Sequence, residues 1–150
     1  MPQSLSRVIV HMVFSTKHRF PFIDEAFEKE MYAYLASVLK TDGHVPIKIG
    51  GTEDHVHLMF GQSRTISVAK TVENLKSSSS KWAKTKGGNL SEFAWQLGYG
   101  IFSVSPTDTD GLEKYIANQR DHHKSLSFQD EYRALLNEHG IPFDEKYVWD

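Results

Sequence analysis

The chain of 150 residues contains no cysteine. Disulfide bonds and thiolate metal sites are therefore excluded, and any metal ion must be bound by histidine, carboxylate or amide groups. No apolar run approaches the ~20 residues that a membrane-spanning helix needs. The first residues, Met1–Ser4, also lack the charged start and apolar stretch of a signal peptide. We therefore expect a cytoplasmic protein with no membrane partner.

An excess of charge of either sign is absent too, because 17 basic residues against 19 acidic ones give a formal net charge of −2. This balance by itself does not indicate nucleic-acid binding. The basic residues are unevenly placed, however: five lysines against the single acid Glu73 lie between Lys70 and Lys86. Such a segment can bind phosphates, although on its own it is more typical of a solvated helix face. With 39% hydrophobic residues, we expect one globular domain over residues 1–150.

The most informative segment is Asp54–Phe60, in which His55 and His57 alternate with apolar residues. Strand side chains point to alternate faces, so both imidazoles lie on one face while Val56 and Leu58 anchor the other. Two histidines side by side on a rigid strand indicate half of a metal site or a pair of acid/base groups.

A second set of polar side chains lies between Leu112 and Lys124. Tyr115 and Gln119 are four residues apart, so on a helix they share one face. An amide oxygen suits a hard cation such as Mg²⁺ or Mn²⁺. His122 and His123 follow one turn later. Three roles are open to them: metal ligand, phosphate contact, or exposed residue at the helix C-terminus. The helix dipole favours the exposed position.

The order of elements predicts an α+β fold. Hydrophobic periodicity gives strand, helix, strand, strand, helix, strand, followed by two helices. Asp24 and Ser67 are predicted N-caps of the first two helices. This order is typical of the ferredoxin-like split βαβ arrangement, a four-stranded antiparallel sheet with two helices on one face. The histidine strand would be central, and its histidines would lie on the face left open by those helices. The predicted segments are the strands Leu5–Thr16, Val45–Ile49, His55–Phe60 and Tyr99–Ser105, and the helices Asp24–Lys40, Ser67–Trp82, Leu112–Lys124 and Gln129–His139.

One kind of chemistry suits the combination of two histidines, a glutamine, a tyrosine and a divalent ion. A tyrosine hydroxyl has an ordinary pKa near 10 and is a poor nucleophile unaided. A metal ion on a non-bridging phosphate oxygen makes the phosphorus more electrophilic. Attack by tyrosine then gives a phosphotyrosine and a free 3′-hydroxyl. Because the phosphate ester bond is conserved, it can be re-formed on another strand without ATP.

Several segments of the sequence together resemble those of a known family. The segment Gly50–Leu58 resembles the HUH motif of single-tyrosine transposases, and the nearest group is the small transposase of the insertion-sequence 200/605 class. The segments Val13–Lys17, Trp95–Ser105 and Tyr115–His123 match in the same order, so the resemblance spans nearly the whole chain.

The resemblance implies that His55 and His57 bind a divalent metal, Mg²⁺ or Mn²⁺, that Gln119 is the third ligand and that Tyr115 is the nucleophile. It also implies single-stranded DNA with hairpins as substrate, and a homodimer in which the tyrosine helix of one subunit can complete the histidine site of the other. DNA binding would then depend on local basic patches. These comprise Lys17, Arg19, Lys70, Lys76, Lys81 and Lys84.

Two other functions remain open on the residues alone. In a water-using metal phosphoesterase, the histidines would activate water and Tyr115 would only pack. In a domesticated or inactive module, the sheet would bind single-stranded DNA or RNA hairpins without cleaving them.

Overall fold

The computed structural model describes all residues from Met1 to Asp150. Its centre is a four-stranded antiparallel sheet of β1 (Ile9–Ser15), β2 (Val45–Gly51), β3 (His55–Gly61) and β4 (Gly100–Val104). The strand order is β2-β3-β1-β4, so β1 and the histidine strand β3 are central as predicted. The first strand begins at Ile9 rather than at Leu5. The predicted α+β, split βαβ fold is confirmed.

Two long helices, α1 (Glu25–Thr41) and α2 (Val68–Lys84), pack on one face of the sheet. Both begin at the predicted N-caps, since the Asp24 and Ser67 side chains accept hydrogen bonds from Phe27 N and Lys70 N. The main apolar core lies between these helices and the alternate strand residues that point towards them. From the two central strands these residues are Val10, Met12, Phe14, Val56, Leu58 and Phe60.

Three helices cover the other face: α3 (Thr109–Ala117), α4 (Gln119–His122) and α5 (Phe128–Glu138). The prediction that the histidines lie on an open sheet face is therefore wrong, because His55 and His57 are 0% exposed. Sequence periodicity places the two histidines on one face but does not reveal that the C-terminal helices return to cover it. The predicted helix Leu112–Lys124 is also interrupted, since Asn118 (φ −102°, ψ 22°) separates α3 from α4.

The covering helices approach the sheet where glycine leaves room. A methyl group on Gly50 in β2 would lie 2.5 Å from the carbonyl oxygen of Ile116, and one on Gly100 in β4 would lie 2.8 Å from the ring of Tyr132. These close approaches bring α3 and α5 down onto the histidine face. The helices are too short or too polar for any of them to cross a lipid bilayer.

Candidate active site

His55, at the start of β3, is held by hydrogen bonds at both of its ring nitrogens. Its Nδ1 lies 2.8 Å from Asp54 Oδ1 and 3.0 Å from Thr52 Oγ1, and its Nε2 lies 2.9 Å from Gln119 Oε1. The ring of Phe128 stacks on the imidazole at a centroid distance of 4.4 Å. The turn before β3 and the first residue of α5 thus fix the ring, and its Nε2 points towards α4.

His57 is bound in the same way, but by a different partner. Its Nδ1 lies 2.8 Å from Nε2 of His11, which stacks on it at a centroid distance of 5.0 Å. His11 reaches it from the neighbouring strand β1, on the same face of the sheet. His57 Nε2 lies 3.0 Å from Glu131 Oε1. Both histidines therefore direct Nε2 towards one point under the covering helices.

Tyr115 and Gln119 reach this point from α3 and α4 despite the interruption at Asn118. The Tyr115 hydroxyl donates a hydrogen bond to Glu131 Oε2, and Gln119 Nε2 donates to the same oxygen over 3.0 Å. The tyrosine ring meets His57 edge-on at 5.8 Å between centroids. One chain therefore brings together all four side chains that the sequence indicated.

Glu131, on α5, lies at the centre of this arrangement and is 2% exposed. Its Oε1 lies 3.0 Å from His57 Nε2 and 3.5 Å from His55 Nε2, while its Oε2 accepts from Tyr115 and Gln119. A buried carboxylate is costly unless it is paired. Here one carboxylate joins the two histidines to the tyrosine.

The pKa values in the site follow from burial and from this carboxylate. Burial acts to lower the pKa of His55, but hydrogen bonds to Asp54 and Glu131 outweigh it and raise that pKa to about 9. Burial lowers the pKa of His57 to about 4, against the opposing effect of Glu131. Burial and the hydrogen bond to Glu131 raise the pKa of Tyr115 above its ordinary value. The Tyr115 hydroxyl is consequently protonated at neutral pH.

The residues present fit a divalent cation. His55, His57 and Glu131 each offer a ligand atom, and these atoms lie within 4.8 Å of one another. Gln119 Oε1 adds a neutral oxygen beside His55. Two imidazole nitrogens with carboxylate and amide oxygens suit Mn²⁺ well, and the oxygens also suit Mg²⁺.

An access groove of about 770 Å³ opens beside the buried cluster. Tyr115 and Glu131 line the groove, as do the acidic residues Asp108 and Glu138. Most of the other lining residues lie on or beside β4, α3 and α5, and His11 of β1 and His122 of α4 also line the groove. Those on or beside β4, α3 and α5 include Phe102, Leu112, Leu135 and His139. A ligand in this groove would therefore contact Tyr115 and Glu131.

The two consecutive histidines after Gln119 both lie beside the site, His123 largely buried and His122 with its side chain 37% exposed. His123 Nε2 lies 3.0 Å from Gln119 Oε1 and 3.1 Å from Glu131 Oε1. His122 packs edge-on against Tyr115, at 5.0 Å between centroids, and its Nε2 lies 3.8 Å from Glu131 Oε2. Neither histidine is therefore the fully exposed residue at a helix C-terminus that the helix dipole favoured.

The candidate DNA-binding residues divide into two groups. Lys17 and Arg19 form a short turn after β1, at the end of the sheet where Ser15 pairs with His55. Arg19 adopts a left-handed φ of 56°. The other four lie on α2, across the sheet from the histidines. Among these, Lys70, Lys81 and Lys84 are exposed, whereas Lys76 is half-buried.

Lys76 differs from the other lysines because backbone carbonyl groups bind it. Its Nζ donates to the carbonyl oxygens of Gln96, Leu97 and Gly98 over 2.8, 3.2 and 2.6 Å. Burial lowers its pKa to about 8. The lysine thus anchors the segment before β4.

Sequence reasoning missed Glu131 and His11, although each leaves a signal. Glu131 falls on the apolar stripe of α5, three residues after Phe128 and four before Leu135, where a charged residue is unexpected. His11 occupies an inward position of β1 between Ile9 and Val13. Buried polar groups require partners, so both residues indicated a site.

Comparisons with known proteins give the family. The model of the family described as "Transposase IS200 like" matches residues 4–119. Comparison with curated proteins yields no match. A candidate transposase from Deinococcus radiodurans R1 has a TM-score of 0.62 at 20% identity, over 79% of this chain and 98% of that chain. A REP-associated tyrosine transposase bound to a REP hairpin has a TM-score of 0.61 at 9% identity, over 84% of this chain and 74% of that chain.

These two structural likenesses establish the fold alone. The family match covers more than two thirds of the chain and ends at Gln119, so α5 and Glu131 lie beyond it. It includes both histidines, the tyrosine and the glutamine that meet at the buried carboxylate. On this match, the chain belongs to the family of IS200-like transposases.

Proposed function

We propose that this protein is a metal-dependent transposase of single-stranded DNA, which cleaves and rejoins DNA through a 5′-phosphotyrosine at hairpin-marked ends. The observation that carries the proposal is the convergence of His55, His57, Gln119 and Tyr115 on Glu131, within a chain of this family. The metal ligands in this proposal are the two histidines and Gln119, with Glu131 as an additional ligand through Oε1.

The covalent step is a transesterification. The Tyr115 oxygen forms a bond to phosphorus, and the bond between phosphorus and the 3′-oxygen breaks, which releases a 3′-hydroxyl. A bound Mg²⁺ or Mn²⁺ ion would polarise the phosphate and stabilise the developing charge. Because burial and Glu131 raise the pKa of Tyr115, its hydroxyl is protonated at neutral pH and must lose a proton in this step. Glu131 Oε2 accepts the hydrogen bond of Tyr115 and passes the phenol proton on, through the solvent of the groove, to the departing 3′-oxygen. The carboxylate does not keep this proton, because hydrogen bonds from His123, His55 and His57 outweigh burial and hold the pKa of Glu131 far below its ordinary value.

Rejoining reverses this step. A 3′-hydroxyl attacks the phosphotyrosine, the bond between phosphorus and the tyrosine oxygen breaks, and Tyr115 recovers a proton. Since one phosphodiester is exchanged for another, no external energy source is needed.

The structure supports a cis arrangement within one chain. Tyr115 and Gln119 contact Glu131 of their own chain, and Arg120 on α4 donates to Glu28 Oε2 on α1 over 2.8 Å. This ion pair ties the tyrosine-bearing segment to its own subunit. We therefore propose that each chain completes its own site, and the homodimer remains a prediction.

The proposed substrate is a single DNA strand that carries a hairpin, as one structural relative was solved with a REP hairpin. Lys17 and Arg19, at the end of the sheet nearest His55, are the proposed phosphate contacts of the strand. The access groove would admit the nucleotide next to the scissile phosphate. The exposed α2 lysines face away from this groove and would at most bind distant duplex. We place this activity in the cytoplasm.

The first test incubates the protein with 5′-labelled and 3′-labelled hairpin oligonucleotides from the DNA flanking its gene, with Mg²⁺ or Mn²⁺. We expect a covalent protein–DNA band on denaturing gels. The band should disappear in Tyr115→Phe and persist in the matched control Tyr34→Phe, whose tyrosine lies on α1 across the sheet. Cleavage without a covalent band would favour the phosphoesterase, and hairpin binding without cleavage would favour the inactive module.

The cis arrangement has its own test, in which Tyr115→Phe and His57→Ala proteins are mixed. A site shared between subunits would regain activity in mixed dimers, because one site would then contain both native residues. We expect no recovery. Restored cleavage in the mixture would contradict the cis arrangement and support shared sites.

A further inference from the structure

His11 is a buried histidine with no part in the chemistry described so far. It lies on β1, is 3% exposed, and makes its hydrogen bond through Nε2 to His57 Nδ1 at 2.8 Å. Its ring stacks on that of His57 at an interplanar angle of 21° and packs against Phe102 on its other side, at 6.0 Å between centroids. The contact is thus specific, and both strands of the central pair hold it in place.

We propose that His11 is a positioning residue, which accepts a hydrogen bond from His57 Nδ1–H and thereby directs a bare Nε2 towards the metal. The inference rests on the proposed metal site. A neutral imidazole carries one proton, so Nε2 can bind a metal only when the proton lies on Nδ1. A partner that accepts from Nδ1 stabilises that tautomer and fixes the ring.

The two proposed ligand histidines have different partners for the same task. Asp54 accepts from His55 Nδ1, as carboxylates commonly do for ligand histidines. His57 has His11 instead, a neutral acceptor. An acceptor without charge orients His57 without adding a second carboxylate beside Glu131.

The arrangement also requires a change of tautomer between the two states. In the metal-free structure, His57 Nε2 faces a carboxylate oxygen of Glu131, so the single ring proton of His57 lies on Nε2. His57 Nδ1 then accepts a hydrogen bond from His11 Nε2–H. When Nε2 binds metal, the proton on the shared hydrogen bond belongs to His57 Nδ1. His11 then carries its own proton on Nδ1, and the access groove, which His11 lines, supplies solvent for this exchange. The His57 Nε2 proton is released and one proton is gained at His11 Nδ1, so the pair changes tautomer without changing charge.

The first test measures Mn²⁺ binding by calorimetry without DNA. We expect His11→Leu to weaken binding by about 10- to 100-fold, the range typical of lost hydrogen bonds to ligand histidines. His11→Gln, which keeps an acceptor oxygen, should recover part of this loss. The matched control is His44→Leu, which removes a buried histidine that bonds Thr71 far from the site. Wild-type affinity in His11→Leu, or equal losses in the Leu and Gln variants, would overturn the proposal.

The second test needs no variant and so does not depend on a variant folding. Long-range ¹H–¹⁵N spectra of the histidine rings would identify the protonated nitrogen of His57 and His11 without metal and with diamagnetic Mg²⁺. We expect the proton of the shared hydrogen bond to move from His11 Nε2 to His57 Nδ1. A metal-loaded protein that retains the proton on His11 Nε2 would overturn the proposal while leaving the metal site intact. A wild-type protein that binds no metal would overturn both.

Discussion

The two faces of the sheet are built from the same strands and are equally buried, yet they differ in chemistry. Leu58 points into the apolar core under α1 and α2, and its neighbour His57 points to the polar cluster under α3 to α5. Both side chains are 0% exposed. Burial alone therefore does not distinguish a face that stabilises the fold from a face that holds a site. What distinguishes them is that the helices over the histidine face bring hydrogen-bonding partners such as Glu131 as well as apolar side chains such as Phe128 and Ile116.

His57→Ala should have the largest effect, a loss of metal affinity, and should change only the histidine face of the sheet. It removes a proposed ligand, so we expect the Mn²⁺ affinity to fall by more than about 100-fold, beyond the range of lost supporting hydrogen bonds. Glu131 retains donors in His123, Gln119 and Tyr115, so the metal-free protein should remain folded. Calorimetry for the metal and urea unfolding for stability check this expectation. An unfolded variant would show that the polar face is as structural as the apolar one.

Leu58→Ala is the matched change one residue along, on the opposite face. We expect the free energy of unfolding to fall by about 2–5 kcal/mol, since a fully buried leucine leaves a cavity. Metal affinity at temperatures where the variant is folded should be unchanged. If metal affinity fell together with stability, the two faces would be coupled through the sheet and the comparison would break down.

Gly50→Ala tests how closely the covering helices must approach. The added methyl would lie 2.5 Å from the Ile116 carbonyl oxygen, so α3 must shift. We expect a loss of about 1–3 kcal/mol in unfolding free energy, as for other overpacked positions, and a slower formation of the covalent DNA product. Gly61→Ala is the control, because its methyl would meet Val45 Cβ at an ordinary 3.5 Å. Equal effects of the two variants would argue against a close-packed α3.

The pH dependence of metal binding is a graded effect that needs no substitution, and its sign follows from His55. The pKa of His55 in the metal-free fold is raised to about 9 from an ordinary 6.5. Its proton therefore stabilises the metal-free fold below about pH 6.5, and this stabilisation is lost as the pH rises through about 9. The same proton must leave before Nε2 binds metal. We expect Mn²⁺ affinity to rise by up to about tenfold per pH unit between pH 7 and 9 and then to level off.

The matched control for this titration is Asp54→Asn, which removes the carboxylate that raises the pKa of His55. Its plateau should begin at a lower pH than that of the wild type. Calorimetry in two buffers of different ionisation enthalpy would count the released protons. A flat profile in the wild type would show that His55 is already neutral in the metal-free protein.

Much of the fold could be predicted from the sequence because it depends on local rules. Alternation in β3 assigned Leu58 and His57 to opposite faces, and the side chains of Asp24 and Ser67 marked the first turns of α1 and α2. Four of the clustered side chains, His55, His57, Tyr115 and Gln119, were also recognisable, since strand and helix spacing grouped each pair. Their roles in catalysis and metal binding remain predictions.

The rest depended on contacts between distant segments. Glu131 is 74 residues from His57, and His11 is 46 residues from it, so no local period joins them. Which side chains share a face follows from the sequence alone, because the backbone repeat of a strand or helix fixes their direction. The covering of the histidine face by α5, and the carboxylate that α5 places between the two histidines and Tyr115, come instead from contacts of the folded chain. These outcomes depend on how helices pack against a sheet, and packing is a property of the whole chain.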